Sequence, residues 1–133
     1  MPSRVTSVLY ADDNPDDIHI FSHVFKQHFG DKKLILLETC FEVINYVEDP
    51  DTVLPDVIFL DLNMLGNQKF ECLRHLKKTL RTQHIPVVIY SSTDLPDIAE
   101  IAKSFGAYKF VVKPYSFAEV ATEIRKVISE VET

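Results

Sequence analysis

Two adjacent carboxylates, Asp12 and Asp13, close an apolar run that reaches Ala11, and Asn14-Pro15 and two more acids, Asp16 and Asp17, follow at once. A further carboxylate, Asp61, closes another apolar run in DVIFLDLNM. Two unit charges about 4 Å apart repel by roughly 1 kcal/mol in water and roughly 4 kcal/mol near a protein surface. Taken alone, Asp12 and Asp13 read as a solvated turn and Asp61 as a helix cap. Gathered in one packed site, they require a cation. Oxygen-only ligands with room for water suit a hard divalent ion, Mg²⁺ foremost. Two later apolar runs end in Ser91, whose hydroxyl can bond a phosphoryl oxygen, and in Lys113, followed by Pro114. The lysine ammonium balances acids and can clamp an anion. His19 and His23 stand four apart without a third ligand or an HExxH context, so zinc is the lesser reading of that pair.

These residues need elements to position them. Short β-rich runs at 5–11, 33–39, 56–61, 86–92 and 108–113 lack polar alternation, which predicts strands covered on both faces. Helical segments lie between them. In the first, Asn14 is the cap, Pro15 fits the first turn, Asp16 and Asp17 serve the helix dipole, and Gly30 marks the stop. The second is CFEVINYVED before Pro50, the third about FECLRHLKKTLR, and the fourth about LPDIAEIAKSF before Gly106. The last is SFAEVATEIRKVISEV, with a Ser116/Glu119 capping box. Its stripe of Phe117, Val120, Ala121, Ile124, Val127, Ile128 and Val131 reads as a core face ahead of a dimer surface.

Repeated βα units with right-handed crossovers give an α/β fold, a doubly wound, five-stranded parallel sheet with helices on both faces. Ligands of such sheets bind beyond the carboxyl ends of the strands, where the winding reverses. In the strand order 2-1-3-4-5 the ends of the first and third strands are neighbours there. Asp12, Asp13 and Asp61 then meet in one cleft, and Ser91 and Lys113 arrive from the next two strands.

With 133 residues, the chain is expected to form a single domain over 1–133 with no output domain attached. A net charge of −6 argues against a nucleic-acid backbone binder. No signal peptide and no membrane-length apolar run are evident, and the expected location is cytoplasmic. Cys40 and Cys72 read as buried thiols rather than a disulfide.

The ordered set of Asp12-Asp13, Asp61 in DLNM, Ser91 after IPVVIY, and Lys113-Pro114 resembles the receiver domains of two-component response regulators, and the resemblance runs the length of the chain. It implies a flavodoxin-like fold in a stand-alone, chemotaxis-regulator-like signalling module. Asp61 would accept a phosphoryl group from a phosphohistidine of a histidine kinase or histidine phosphotransfer protein. Asp13, Asp61 and the Asn63 carbonyl would ligate Mg²⁺, with Asp12 acting through a water molecule. Lys113 and Ser91 would contact the phosphoryl group, and Ser91 and Phe110 would form the switch. Output would pass to an unknown protein target through the fourth helix, fifth strand and fifth helix, with no enzymatic work beyond self-phosphorylation and dephosphorylation. The resemblance also implies a cis bond before Pro114.

The chain departs from the family after the acceptor. Leu65 stands where proline is usual and Lys69 where glycine is usual, which predicts a different loop path. That departure motivates an alternative, a pseudo-receiver that docks without being phosphorylated. A flavin-carrying reading fits poorly, because the loop after the first strand is ADDNPDD rather than a Ser/Thr/Gly phosphate cradle. A Mg²⁺-dependent aspartyl phosphatase would place its nucleophile on the first strand and need a lid.

Overall fold

Each apolar run forms a strand: β1 Ser7–Ala11, β2 Lys33–Leu37, β3 Val57–Leu60, β4 Val87–Ser91 and β5 Lys109–Val112. The intervening segments form α1 Pro15–His28, α2 Cys40–Glu48, α3 Glu71–Lys78, α4 Ile98–Ser104 and α5 Phe117–Glu132. The computed structural model describes residues 4–64, 66 and 70–133. Leu65 and Lys69, on which the altered-loop expectation falls, lie outside the described residues.

The βα alternation predicts one parallel sheet, and the strands form it in the expected order β2-β1-β3-β4-β5. Alternate residues send their side chains to opposite faces, so each strand feeds two cores. Tyr10, Phe59 and Tyr90 pack with Phe21, Phe25 and Ile124 on the face of α1 and α5. Leu9, Ile58 and Ile89 pack with Val43, Leu73 and Leu76 on the other face. Burying a side chain of this size contributes about 1.5–3 kcal/mol, so the two aromatic and aliphatic layers hold the sheet flat against its helices.

The expectation of strands covered on both faces holds for β1, β3 and β4 and fails for β2 and β5. β2 and β5 are the edges of the sheet, and Leu36 and Val112 are each 39% exposed. A short apolar run does not reveal whether it sits at an edge.

Local chemistry explains the helix starts. The Asn14 carboxamide accepts from the backbone N–H groups of Asp16 and Asp17, Thr39 accepts from Glu42, and Ser116 accepts from Glu119. Gly30 follows α1 where a Cβ would lie 2.9 Å from the Lys26 carbonyl oxygen, and Gly106 takes φ +102 after α4. α3 is shorter than its pattern predicts. Phe70 stands before it with φ 60, and Thr79 turns to extended backbone after it. Arg81 leaves the helix to donate to the carbonyls of Val47, Asp49 and Thr52, satisfying the end of α2. In α4 the run Leu95-Pro96-Asp97 stays outside the helix.

Cys40 and Cys72 are buried thiols rather than a disulfide, as expected, and are hydrogen-bonded to each other. Val120, Ala121, Ile124, Val127 and Ile128 of α5 are buried, while Phe117 is half exposed. Among the described residues no helix is long and apolar enough to cross a membrane.

Candidate functional site

The strand ends lie level with one another. Asp12 donates its backbone N–H to Leu37 O at 3.0 Å, Asp61 donates to Ala11 O at 2.9 Å, and Lys113 donates to Ser91 O at 2.7 Å. This register continues each ladder by one residue past the strand. It delivers Asp12, Asp61 and Lys113 to the same edge of the sheet, where the chain order reverses between β1 and β3.

There the acids meet. Asp12, Asp13 and Asp61 each offer an oxygen, and those atoms all lie within 4.8 Å of one another. Asp12 and Asp61 are buried and Asp13 is exposed, so the cluster opens to solvent on the Asp13 side. Among the described residues no other group of three acidic, histidine or cysteine ligands converges. His19 and His23 stack with ring centroids 6.4 Å apart and gain no third ligand.

Lys113 closes the cluster from β5. Its Nζ lies 2.7 Å from Asp12 Oδ2, 2.8 Å from Asp17 Oδ2 and 3.1 Å from Asp61 Oδ1. An ammonium has three donors, and three carboxylates engage them. The ring of Tyr90 lies beneath, 5.9 Å from Nζ. Burial works against the ammonium, but the hydrogen bonds to Asp12 and Asp17 and the charges of Asp12 and Asp61 overcome it and hold Lys113 above its ordinary range. The lysine reaches the cleft from a trans bond, because among the described residues there are no cis peptides. The cis bond implied before Pro114 is therefore corrected.

Ser91 is fully buried at the end of β4, and its Oγ accepts from Thr93 N at 3.0 Å. Asn63 is exposed in the loop after Asp61, and its Nδ2 donates to Thr93 Oγ1 at 3.4 Å. Phe110 pairs with Ile89 in the β4–β5 ladder, two residues before the Ser91–Val112 pair, and so shares a face with Ser91. It is partly buried against the α2–α4 core.

Two residues of the cleft were not singled out by the sequence. Asp17 does more than serve the dipole of α1. It sits within the first turn of that helix, and its carboxylate turns back to Lys113. Tyr10 donates its phenol O–H to Asp12 Oδ2 from inside β1. With Asn14 N donating to Asp12 Oδ1 at 2.9 Å, the buried Asp12 accepts from a phenol, an ammonium and an amide.

Burial, then repulsion from Asp12, pushes the Asp61 carboxyl up from 3.8 to about 6, although Lys113 pulls in the other direction. A carboxyl whose folded pKa exceeds its unfolded value opposes folding when it ionises. That cost is absent below 3.8, grows as the pH rises toward about 6, and is fully present above it. By linkage it amounts to roughly 3 kcal/mol. A divalent cation seated against Asp61 would have to displace its proton, so it would stabilise most where the carboxyl is already ionised. The rise in thermal midpoint on adding Mg²⁺, followed by circular dichroism, is expected to be several degrees larger at about pH 7 than at about pH 5. Equal rises at both would contradict this.

Solved structures with this architecture include the phosphorylated cyanobacterial phytochrome response regulator RcpA, matched at a TM-score of 0.82 and 18% identity over 94% of this chain and 91% of that one. They also include the chemotaxis response regulator CheY4 of Vibrio cholerae, at a TM-score of 0.79 and 20% identity over 92% of this chain and 98% of that one. These share the doubly wound flavodoxin-like fold. In sequence, the rice two-component response regulator ORR13 is 29% identical over 115 residues, covering 85% of this chain and 90% of that protein. A probable cyclic di-GMP phosphodiesterase of Vibrio cholerae is 26% identical over 110 residues, but the chain spans only 24% of its length. The family model of the response regulator receiver domain matches residues 8–125, and the chain belongs to that family of two-component signalling proteins.

Proposed function

We propose that this chain is a phosphoacceptor module in which Asp61 receives a phosphoryl group from a phosphohistidine and the domain signals by a change of shape. The observation that carries this reading is the convergence of three carboxylate oxygens within 4.8 Å, with the Lys113 ammonium 3.1 Å from Asp61. The donor set fits a hard divalent ion. It consists of carboxylate oxygens, its charge repels itself, and its open side exposes Asp13 to water. Asp13 and Asp61 would hold Mg²⁺, with the Asn63 carbonyl as a further ligand, and Asp12 would act from the outer shell because its oxygens already accept protein donors. Mg²⁺ would supply charge neutralisation at the phosphoryl oxygens.

The residues of the chain do the rest. An Asp61 oxygen attacks phosphorus in line. The O–P bond forms as the N–P bond to the donor histidine breaks, and the bonding pair leaves with the imidazole nitrogen, which takes a proton from solvent. Lys113 draws Asp61 toward its ionised form and bonds a phosphoryl oxygen. Ser91 can give up its bond to Thr93 N and turn its hydroxyl to another. An acyl phosphate brings up to about two negative charges and three acceptor oxygens. Shifting a two-state domain from 1:99 to 99:1 takes about 5.5 kcal/mol, within reach of a few charge-assisted bonds. Phe110, on the face of Ser91, would follow the hydroxyl inward. Leu95, Ile101, Tyr108, Val112 and Tyr115 are exposed apolar side chains on or beside α4 and β5, and they would present the change to a protein target.

Under this reading the donor is a histidine kinase or a histidine phosphotransfer protein, the compartment is the cytoplasm, and the only catalysis is the domain's own phosphorylation and dephosphorylation. A docking-only module needs no such acid–lysine constellation, so the geometry does not favour it. Binding of beryllofluoride, followed by fluorine NMR, separates the two. The phosphoacceptor binds it only with Mg²⁺ present, and absence of binding at saturating Mg²⁺ would overturn the reading.

Asp13→Ala tests the ion site. Loss of an outer-shell partner costs about 10–100-fold in metal affinity, and loss of a direct ligand costs no less. Calorimetric titration is expected to show Mg²⁺ affinity falling by at least about tenfold. Relief of repulsion at a half-solvated site is worth about 1 kcal/mol, so the metal-free thermal midpoint rises by about 1–4 °C. A fall in that midpoint would contradict the repulsion.

A further inference from the structure

A β-strand points residues two apart to the same side, which places Tyr10 under Asp12. Tyr10 is completely buried. Its ring stacks on Phe21 with centroids 4.1 Å apart and meets Tyr90 edge-on at 5.7 Å. A ring held on two sides leaves its hydroxyl little freedom, so Asp12 must orient to the phenol rather than the reverse. An aliphatic side chain at this position would fill the space but give Asp12 Oδ2 no donor except Lys113. Burial, then the charge of Asp12, drives the phenol well above its ordinary range, and it stays a neutral donor.

We propose that Tyr10 is a positioning residue of the cation site: its hydroxyl fixes the Asp12 carboxylate toward Lys113 and Asn14 and leaves Mg²⁺ to Asp13 and Asp61. This rests on the reading of the cleft as a Mg²⁺-dependent phosphoacceptor site. Asp12 accepts from three protein donors, so its charge is largely met before any ion arrives. It is the acid of the cluster with least to offer an ion directly. A divalent ion beside the cluster draws electron density from all its carboxylates and weakens Asp12 as an acceptor for the phenol. Tyr10 therefore senses the ion through Asp12.

The experiment titrates the wild-type chain and Tyr10→Phe with Mg²⁺ by calorimetry. In parallel, the Tyr10 hydroxyl proton of the wild type is followed by NMR, identified through its contacts with the Phe21 ring. Tyr10→Phe is expected to bind Mg²⁺ about tenfold more weakly, at the low end for an outer-shell partner because Lys113 and Asn14 still hold Asp12. The hydroxyl resonance, slow to exchange because it is buried, is expected to move upfield with the calorimetric midpoint. A merely structural tyrosine would not move it. A variant that binds as the wild type does, or a resonance that stays in place at saturating Mg²⁺, overturns the role of Tyr10. Should Tyr10→Phe fail to fold, the wild-type resonance decides alone. A wild-type chain that binds no Mg²⁺ overturns the phosphoacceptor reading itself, and this inference with it.

Discussion

Asp61→Asn is expected to abolish phosphate uptake from acetyl phosphate while leaving the fold intact. The amide has nearly the shape of the carboxylate but no anionic oxygen with which to attack phosphorus, so the loss is complete. The stability change runs in the opposite direction. Near neutrality the wild-type Asp61 is ionised in a buried site against its preference, with its pKa pushed up to about 6 by burial and by Asp12. A neutral isostere removes that opposition, while Lys113 keeps its bonds to Asp12 and Asp17. The metal-free variant is expected to gain about 3 kcal/mol, or about 10 °C in thermal midpoint by circular dichroism. Its midpoint is also expected to stop responding to Mg²⁺. Base-labile phosphate on the variant would refute the acceptor assignment, and a lower metal-free midpoint would refute the electrostatic account.

Lys113→Met is expected to do damage of both kinds. Methionine keeps most of the apolar stem and removes the ammonium that engages Asp12, Asp17 and Asp61. Asp12 then remains fully buried with a phenol and an amide but no counter-charge. Removing one partner of a buried pair costs about 3–5 kcal/mol, which for a domain of this size is about 10 °C or more in midpoint. Added Mg²⁺ is expected to restore part of this, since it supplies positive charge to the same acids. Labelling by acetyl phosphate is expected to slow by about 10²–10³-fold at saturating Mg²⁺, the usual consequence of losing one preorganised donor to the transferring group. A midpoint within about 1 °C of wild type would show that the lysine does not balance the cluster.

The opposite signs of these two substitutions discriminate between accounts. A solvated acidic turn with a chance lysine nearby would predict small changes for both, because exposed ion pairs contribute about 0–1 kcal/mol. A buried cluster short of positive charge predicts a gain on removing an acid and a loss on removing the cation.

The placement of Asp12, Asp13, Asp61, Ser91 and Lys113 at the strand ends was legible in the sequence because each stands at or just beyond the end of an apolar run. In a parallel sheet, strand ends are where chemistry collects. The alternation of strands and helices pointed to a parallel sheet, whereas the order 2-1-3-4-5 belongs to the flavodoxin-like fold that the resemblance implies. Asp17 was not legible in its role, since an acid in the first turn of a helix has a sufficient local reason to be there. Only the reach of Lys113 across the cleft shows that it does more. Tyr10 was hidden differently. In the middle of an apolar strand it reads as one more core aromatic, and only its hydroxyl, aimed at the end of its own strand, separates it from Phe59 or Val8. The ends of α3 escaped for a third reason. Arg81 belongs to the helical pattern, but the carbonyls it satisfies belong to α2 and its following turn, a tertiary demand that local propensity does not carry.

Covalent phosphorylation of Asp61 in a metal-assisted cleft is the step on which the proposed function turns. The direct measurement is the intact mass of the wild-type chain after incubation with acetyl phosphate, with and without Mg²⁺, followed by borohydride trapping and peptide mapping. The added mass of one phosphoryl group is expected only with Mg²⁺, lost on brief exposure to base, with the trapped residue at Asp61. An unchanged mass at saturating Mg²⁺, or a stable adduct on any other residue, would contradict it.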